Sequence, residues 1–256
     1  MQRISVITIN RNNSVGLEKT ILSVINQNYD NYEYIVIDGK SEDSSIEIIK
    51  KYSEQIDYWI SEKDNGIYNA MNKGIKVATG EYIIFMNSGD FFYSDKILYN
   101  LFEGNKREDF LIGAAIGYGK RASYVIPYFE MITAYNLLME TFPHQATFTK
   151  SSVFNEIGLY DETLKICADW KFLVIGALIY NKTILTIDQC ISVVEYGGIS
   201  ARDDFMDLFR NERESVLKEY FHYYYSDYKQ LKKYKKFSKK RIRAHAIWRL
   251  RHFLFG

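Results

Sequence analysis

Cysteine and long apolar runs are scarce in this sequence. Only two cysteines occur among 256 residues, and Cys167 and Cys190 form neither a disulfide framework nor a metal-binding spacing. We expect both to be reduced core residues of a cytosolic protein. No apolar run approaches the roughly twenty residues of a membrane-spanning helix, and residues 1–9 are typical of a short strand rather than a signal peptide. The sequence therefore predicts a protein that is soluble or attached peripherally to a membrane.

Both common glycine-rich phosphate-binding motifs are also missing. The sequence contains no G-x-x-x-x-G-K-[ST], and no G-x-G-x-x-G follows the first apolar run. Gly117-Tyr118-Gly119 lacks the third glycine and comes too late in the chain. A bound diphosphate would therefore have to be held by a cation and by side chains.

The charge of the chain is divided unevenly. The formal net charge is only +1, but eleven of the 33 Lys and Arg residues follow Tyr228, where no acidic residue occurs. This leaves 22 basic residues upstream against 32 acidic ones, so the body is acidic and the tail is strongly basic. With 47% hydrophobic residues the chain can bury a full core, and its length indicates one sizeable domain plus an appendage.

Short apolar runs alternate with helical patterns through the first hundred residues. The runs typical of strands are 4–9, 34–37, 58–60 and 83–86. The last run is apolar at every position, as in a strand that is buried on both faces. Between the runs, apolar residues recur at helical spacing near 17–25, 46–52 and 67–77. This order predicts right-handed crossovers and a parallel sheet with its ligand-facing loops at one edge.

Polar residues follow each predicted strand. They are Asn10-Arg11, Asp38, Asp64-Asn65 and Asn87-Ser88-Gly89-Asp90. A carboxylate at such an edge can accept hydrogen bonds from a base or a ribose, Arg11 can meet a phosphate, and Asp90 can meet a metal ion. An ordinary strand-to-turn junction uses the same residue types, so position alone does not identify a site.

Four ordered blocks of residues resemble the successive signatures of the family-two inverting glycosyltransferases with the GT-A fold. The blocks are residues 5–11, 37–43 and 61–74, and finally residues 78–82 leading to 87–90. The resemblance covers the first two fifths of the chain well and continues more loosely to about Ser200. It implies an α/β, Rossmann-like fold with a mainly parallel sheet flanked by helices. It also implies transfer of a sugar from a nucleotide diphosphate sugar, commonly a uridine one, to a hydroxyl of a saccharide or lipid-linked acceptor.

The resemblance assigns site residues by position. Nine of them match donor-binding positions: Thr8, Ile9, Arg11, Asp38, Asp64, Asn72, Lys73, Asn87 and Ser88. Asp90 matches the acid that binds Mg²⁺ or Mn²⁺. The family commonly shows Asp-x-Asp or Asn-x-Asp-Asp here, whereas in this chain Gly89 occupies an acid position and Asp90 stands alone. One carboxylate can still hold Mg²⁺ together with substrate phosphates and waters.

The second half is expected to receive the acceptor. Asp169, at a predicted helix start, resembles the family's catalytic base, although an acid at a helix N-terminus is also a favourable dipole partner. His144 and Gln145, on a predicted loop, are candidates for acceptor contact. His144 can also touch the diphosphate or the metal, and a hydrogen-bonded structural histidine is the alternative. Trp170 can stack on a sugar face or fill the core. The segment 195–200 resembles the family's closing loop.

These assignments define two predicted regions. Residues 1–204 form the glycosyltransferase domain, with a nucleotide-sugar half (1–100) and an acceptor half (101–204), and residues 205–256 form a helical basic C-terminal extension. In residues 229–256 aromatic and aliphatic residues alternate with Lys and Arg, which favours attachment to an anionic membrane at its cytoplasmic face. A solvated terminus and a nucleic-acid partner are the alternatives. We expect no nucleic acid, because the upstream domain has no nucleic-acid motif; the oligomeric state is not predicted.

The mechanism expected from these residues is a single in-line displacement, with Asp169 as base and a Mg²⁺ or Mn²⁺ ion at Asp90. Two other functions remain open at this point. One is a nucleotidyltransferase on a similar sheet, which would release pyrophosphate. The other is a catalytically weak scaffold that binds a sugar nucleotide at the membrane; Gly89 favours it, while Asp90 and Asp169 oppose it.

Overall fold

A computed structural model describes residues 1–118, 124–126, 131–195, 205–231 and 233–234. Within these residues nine strands form one sheet. The strands are β1 (Ile4–Asn10), β2 (Tyr32–Asp38), β3 (Tyr58–Ser61), β4 (Tyr82–Phe85), β5 (Phe91–Phe92), β6 (Phe110–Tyr118), β7 (Tyr124–Ile126), β8 (Thr147–Lys150) and β9 (Ile184–Glu195). The helices are α1 (Ser14–Ile25), α2 (Ser45–Lys51), α3 (Ile67–Val77), α4 (Ile97–Phe102), α5 (Ala134–Met139), α6 (Ser151–Ile157), α7 (Ala168–Leu178) and α8 (Met206–Tyr220), and residues 222–231 are also helical.

The first half of the sheet is parallel. Strands β3, β2, β1 and β4 lie side by side in that order and run in the same direction. Apolar clusters that include helix residues lie on both faces of the sheet, and β1 and β4 are buried along their whole length. The register pairs Asn10 with Asp38 and Asp38 with Ser61, so the polar strand ends meet at one edge. The predicted α/β class, with helices flanking the sheet, is confirmed.

Beyond β4 the sheet becomes mixed. Strand β8 is antiparallel to β4 and to β6, while β6 and β9 are parallel to each other. The order continues as β8-β6-β9-β5, with β7 paired to β6. The mainly parallel arrangement therefore holds for the first four strands, and the acceptor half adds antiparallel neighbours. This reversal brings the start of β8 to the same edge as the end of β4.

Alternate residues of the central strands pack into two apolar layers. On one face, Ile7 and Ile9 of β1 contact a cluster that includes residues of α3, α6 and α7. On the other face, Ile4 and Val6 pack with residues of α1 and α4. Helix α8 joins the first cluster through Val216, Leu217 and the following Phe221. The first helix of the predicted extension is thus packed on the body of the protein.

Two predicted features fall partly outside the description. Residues 196–200 of the closing loop and residues 235–256 of the basic tail are outside the described residues. Across the described ranges, no helix combines the length and the apolar character needed to cross a membrane. Cys167 is buried and Cys190 is partly exposed, and both are free thiols.

Candidate active site

Asp38 fastens the ends of the parallel strands together. It accepts hydrogen bonds from Asn10 Nδ2 at 2.8 Å, from the Ser41 amide at 2.9 Å, and from the hydroxyls of Ser41 and Ser61 at 2.6 Å each. The side chain is fully buried. Its four donors come from β1, β3 and the loop after β2. The carboxylate of Asp38 therefore holds the ends of these three strands in fixed positions. Its predicted contact with a base or ribose stays a prediction.

Asp64 and Lys73 lie beside the end of β2. Lys73 Nζ is 2.7 Å from Asp64 Oδ1 and 2.8 Å from Glu62 Oε1. A Cβ built on Gly39 would stand 2.5 Å from Asp64 Oδ2 and 3.4 Å from Cδ of Arg11. Any side chain at Gly39 would therefore displace Asp64, and glycine lets the two predicted donor-side charges, Asp64 and Arg11, approach the strand ends.

Three predicted donor residues have side chains turned into the body. Thr8 donates to the Met86 carbonyl at 2.8 Å and lies 3.0 Å from the Tyr34 hydroxyl, and Ile9 packs in the core. Asn72 donates to the Tyr160 carbonyl at 2.9 Å and accepts from the Tyr160 amide at 3.0 Å. Asn72 therefore ties α3 to the acceptor half, and a donor contact from residues 8 and 9 would have to use the backbone.

Asp90 sits at the exit of β4, where the sequence predicts a metal ligand. Gln145 Nε2 donates to Asp90 Oδ2 at 2.9 Å, and the Glu195 amide donates to Oδ1 at 3.2 Å. Asp90 is only 6% exposed, and burial raises the pKa of its carboxyl to about 6, although the Gln145 hydrogen bond and the charge of His144 act in the lowering direction. A cation beside this carboxylate would favour its charged form.

Glu195 stands beside Gly89, the position at which the sequence lacks an acid. Gly89 has a φ of +104°, which L side chains rarely adopt. A Cβ built there would lie 2.8 Å from Glu195 Oε2. The end of β9 thus supplies a carboxylate next to the backbone that carries no side chain of its own. In the described part of the chain no three His, Cys, Asp or Glu side chains gather as a metal site, so a cation here would need further oxygens from substrate or water.

Asp169 belongs to a hydrogen-bonded chain that crosses the site. The Tyr68 hydroxyl donates to Asp169 Oδ1 at 2.9 Å, and His144 Nδ1 lies 3.2 Å from Oδ2. On its other side, His144 Nε2 lies 2.9 Å from Asn87 Nδ2. The Nδ1–H group of His144 donates to Asp169, and the Asn87 amide lies beside the other ring nitrogen, so both ring nitrogens have a polar partner. Two predicted acceptor- and donor-side residues, His144 and Asn87, are therefore joined to the predicted base.

The environment keeps Asp169 ionised. Burial acts to raise its pKa, but the hydrogen bond and charge of His144 and the Tyr68 hydroxyl outweigh burial, so the pKa of Asp169 is lowered. Asp169 is the second residue of α7, where the helix dipole also favours negative charge. Its side chain is 16% exposed, so an incoming hydroxyl can reach it. A carboxylate held in this way can accept a proton.

Trp170 fills the core. The side chain is 3% exposed, its Nε1 donates to the Leu137 carbonyl at 2.8 Å, and the Arg213 guanidinium lies 4.2 Å from its ring centroid. The ring and the indole N–H are thus used inside the body. The structure shows core packing of the ring, and the predicted contact of Trp170 with an acceptor stays a prediction.

Two residues of the site had no assigned role in the sequence. Tyr68 lies within the third block, but helical spacing alone indicates a core aromatic, and only the fold brings it to Asp169. Glu195 begins the segment that resembles a closing loop, and its pairing with Gly89 joins residues more than one hundred positions apart. No local pattern indicates either contact.

Comparisons with known proteins agree with this geometry. Residues 5–156 match the model of the family described as glycosyl transferase family 2. An uncharacterized glycosyltransferase of Mycobacterium tuberculosis is 34% identical over 195 residues, 73% of each chain. A PGL/p-HBAD biosynthesis glycosyltransferase of Mycobacterium bovis is 26% identical over 209 residues, which are 77% of this chain and 78% of the relative.

Solved structures share the fold. S. aureus TarS 1–349 in complex with UDP-GlcNAc superposes with a TM-score of 0.66 at 18% identity, over 88% of this chain and 73% of that one. The mannosyltransferase PcManGT from Pyrobaculum calidifontis, in complex with GDP-Man and Mn²⁺, gives a TM-score of 0.61 at 16% identity, over 84% and 62% of the two chains. The family match spans more than half of the chain and includes the strand-end loops that form the site edge. This chain belongs to glycosyl transferase family 2.

Proposed function

We propose that the protein is an inverting glycosyltransferase. It moves a hexosyl or N-acetylhexosaminyl group from a uridine diphosphate sugar to a hydroxyl of a lipid-linked saccharide. This transfer is a step in the synthesis of a cell-surface polysaccharide. The observation that carries this proposal is the partly exposed carboxylate of Asp169, which is oriented by His144 and Tyr68 at the edge where the strand-end loops meet.

The reaction is a single displacement. Asp169 accepts the proton of the acceptor hydroxyl while the hydroxyl oxygen forms a bond to the anomeric carbon of the donor. The bond between that carbon and the diphosphate oxygen breaks, and the nucleoside diphosphate leaves with the electron pair. One displacement inverts the configuration at the anomeric carbon. His144 and Tyr68 hold the carboxylate in place, so the base is already ordered when the substrates bind.

Asp90 and Glu195 are the residues that would hold a divalent cation. They suit Mg²⁺ or Mn²⁺, because these ions bind through one or two carboxylates together with phosphate oxygens and waters. The position of Glu195 beside Gly89 and the burial of Asp90 support this proposal. A bound cation would neutralise charge on the departing diphosphate.

The relatives suggest the class of substrates. TarS was solved with UDP-GlcNAc and PcManGT with GDP-Man and Mn²⁺, which supports a nucleotide diphosphate sugar as donor. The relative named as a PGL/p-HBAD biosynthesis glycosyltransferase supports a role in biosynthesis. The basic, aromatic-bearing residues 229–256 suit binding to the anionic cytoplasmic face of a membrane. A lipid-linked acceptor would be found there.

The donor and the metal can be tested together by calorimetry. We expect UDP to bind more tightly than GDP, and to bind more tightly with Mn²⁺ than without it. Asp90→Asn and Glu195→Gln should each weaken the Mn²⁺ dependence, whereas Asp188→Asn, an exposed change on β9, should not. Metal dependence that survives in both variants would place the ligands elsewhere.

Catalysis is tested with a panel of UDP-glucose, UDP-galactose, UDP-N-acetylglucosamine and GDP-mannose. Release of nucleoside diphosphate identifies the donor, and NMR of the released or transferred sugar reports whether the anomeric configuration is inverted. Retention, or release of pyrophosphate, would contradict the proposal.

The membrane is tested with vesicles. The full chain should sediment with vesicles that contain phosphatidylserine and not with neutral phosphatidylcholine vesicles. Replacement of the Lys and Arg residues between 235 and 251 by Gln should abolish this binding while UDP affinity is kept. Equal binding to neutral vesicles would contradict electrostatic attachment.

A further inference from the structure

Helix α8 contacts the two segments that lead to His144 and to Asp169. It lies beyond residues 5–156 of the family match, and its outward face is polar and exposed. Its inward face carries Val216 and Leu217, and also two charged residues, Glu212 at 8% and Arg213 at 6% exposure. Adjacent buried charges are rare unless hydrogen bonds compensate them, so their partners show what the helix holds.

Glu212 binds the segment that leads into α7. The amide of Lys165 donates to Oε1 at 2.7 Å, and the amides of Ile166 and Cys167 donate to Oε2 at 3.0 and 3.1 Å. Three consecutive backbone N–H groups thus converge on one carboxylate. Cys167 is the residue at the start of α7, two positions before Asp169, so this contact fixes the turn from which Asp169 projects.

Arg213 binds the segment that leads to His144. Its Nη2 donates to the carbonyls of Leu138 and Glu140 at 3.0 Å each, and Nη1 donates to Thr141 Oγ1 at 3.3 Å. Its guanidinium also covers the ring of Trp170, the neighbour of Asp169. The end of α5 and the start of α7 are therefore joined through one side chain of α8.

We propose that Glu212 and Arg213 are positioning residues, which set the distance between His144 and Asp169 from outside the site. This inference rests on the proposed role of Asp169 as base. The bond it would protect, from His144 Nδ1 to Asp169 Oδ2, is 3.2 Å long. Within the described residues, Glu212 and Arg213 form no hydrogen bond with the elements that carry the donor-side residues Asp38, Asp64 and Lys73. The two residues should thus act on turnover and not on nucleotide binding.

The test compares Glu212→Gln with Glu219→Gln, the same change at an exposed position of the same helix. The amide keeps the size of the side chain but turns an N–H group toward backbone donors. We expect kcat with the best nucleotide sugar of the panel, water serving as acceptor, to fall by up to about 100-fold, the cost of a misplacement near 1 Å. KM for that donor and the Kd for UDP should stay within about twofold of the unchanged protein, because misplacement of the base alone leaves donor binding intact.

A second pair of variants guards against loss of folding. Arg213→Lys keeps the charge and loses the forked geometry, and Arg210→Lys is its control at an exposed site. A contribution to stability alone would lower the melting temperature and leave kcat per folded molecule unchanged, which would overturn the inference. If Glu212→Gln does not fold, the same loss of kcat at constant Kd in Arg213→Lys carries the test.

The double variant separates positioning from other effects. In an Asp169→Asn background, Glu212→Gln should cost no further turnover, because the group that it positions has already lost its function. Full additivity, or an unchanged kcat in both Glu212→Gln and Arg213→Lys, would overturn the inference. If Asp169→Asn itself keeps normal turnover, the proposed base is wrong, and this outcome is distinct from a failure of positioning alone.

Discussion

The two halves of the site edge are built in different ways. In the nucleotide-sugar half, the polar side chains hold one another: Asp38 takes four hydrogen bonds from Asn10, Ser41 and Ser61, all near the ends of neighbouring parallel strands. In the acceptor half, Asp169 is bound by Tyr68 and His144, which come from distant elements. The first half is a closed network, and the second leaves part of its carboxylate open to solvent.

This difference separates stability from chemistry. A fully buried carboxylate whose oxygens are occupied contributes by fixing backbone, since breaking such a network leaves donors unsatisfied. A partly exposed carboxylate held by two partners keeps a lone pair for a substrate proton. Changes at Asp38 should therefore appear in unfolding, and changes at Asp169 should appear in turnover.

The largest expected effect is at Asp169. Asp169→Asn keeps the shape and removes proton acceptance, so turnover should fall by roughly a hundred- to ten-thousand-fold. UDP affinity should stay close to that of the unchanged protein, because no donor-side residue loses a partner. Single-turnover assays and calorimetry on the same preparations measure the two quantities.

The control for Asp169→Asn is Asp188→Asn, an exposed aspartate on β9. If the turnover of Asp169→Asn matches that of this control, Asp169 is not the catalytic base. A large loss of UDP affinity would mean that Asp169 supports the donor as well.

The sequence predicts the two halves unequally, for a physical reason. Strands β1, β2 and β4, helix α3 and the placement of Asp169 at a helix start follow from apolar periodicity and from blocks of neighbouring residues. The contact of Glu195 with Gly89 and that of Tyr68 with Asp169 join residues more than one hundred positions apart, and only folding creates them. Side-chain direction is equally hidden: Asn72 and Trp170 stand in or next to recognisable blocks, yet both face inward because segments distant in sequence, at Tyr160 and Leu137, supply their partners.

The second expected effect, on stability, is at Asp38. Asp38→Asn replaces one acceptor oxygen by an N–H group that faces donors, and hydrogen bonds to charged groups contribute about 1.5–3 kcal/mol each. We expect the free energy of unfolding to fall by about 3 kcal/mol, measured by urea titration. Asp30→Asn, an exposed change at the entry to β2, should have little effect. Unchanged stability, with a loss confined to UDP binding, would mean that Asp38 binds the nucleotide and does not stabilise the strand ends.

The smallest expected effect is at Glu33, near the start of β2. It tests whether a second buried carboxylate stabilises the parallel strands at the ends opposite to Asp38. Glu33 is buried and accepts hydrogen bonds from the Ser5 hydroxyl, the Thr79 amide and hydroxyl, and the Gly80 amide. Burial acts to raise its pKa, but these donors outweigh burial, so the pKa of Glu33 is lowered. Because the folded state holds the carboxylate more strongly than the unfolded state does, this contribution is complete above the unfolded pKa and is lost as the pH falls through the lower, folded pKa.

The corresponding change is Glu33→Gln, with Glu54→Gln as an exposed control. We expect the variant to lose about 1–2 kcal/mol of unfolding free energy at pH 7, measured by urea titration across a pH series. The gap between the two proteins should narrow as the pH falls below about 4.3, the ordinary value for glutamate, because protonation removes from the unchanged protein what the substitution removes from the variant. A difference in unfolding free energy that is independent of pH would contradict this prediction. It would show that Glu33 stabilises β1 and β2 through packing of its side chain and not through its charge.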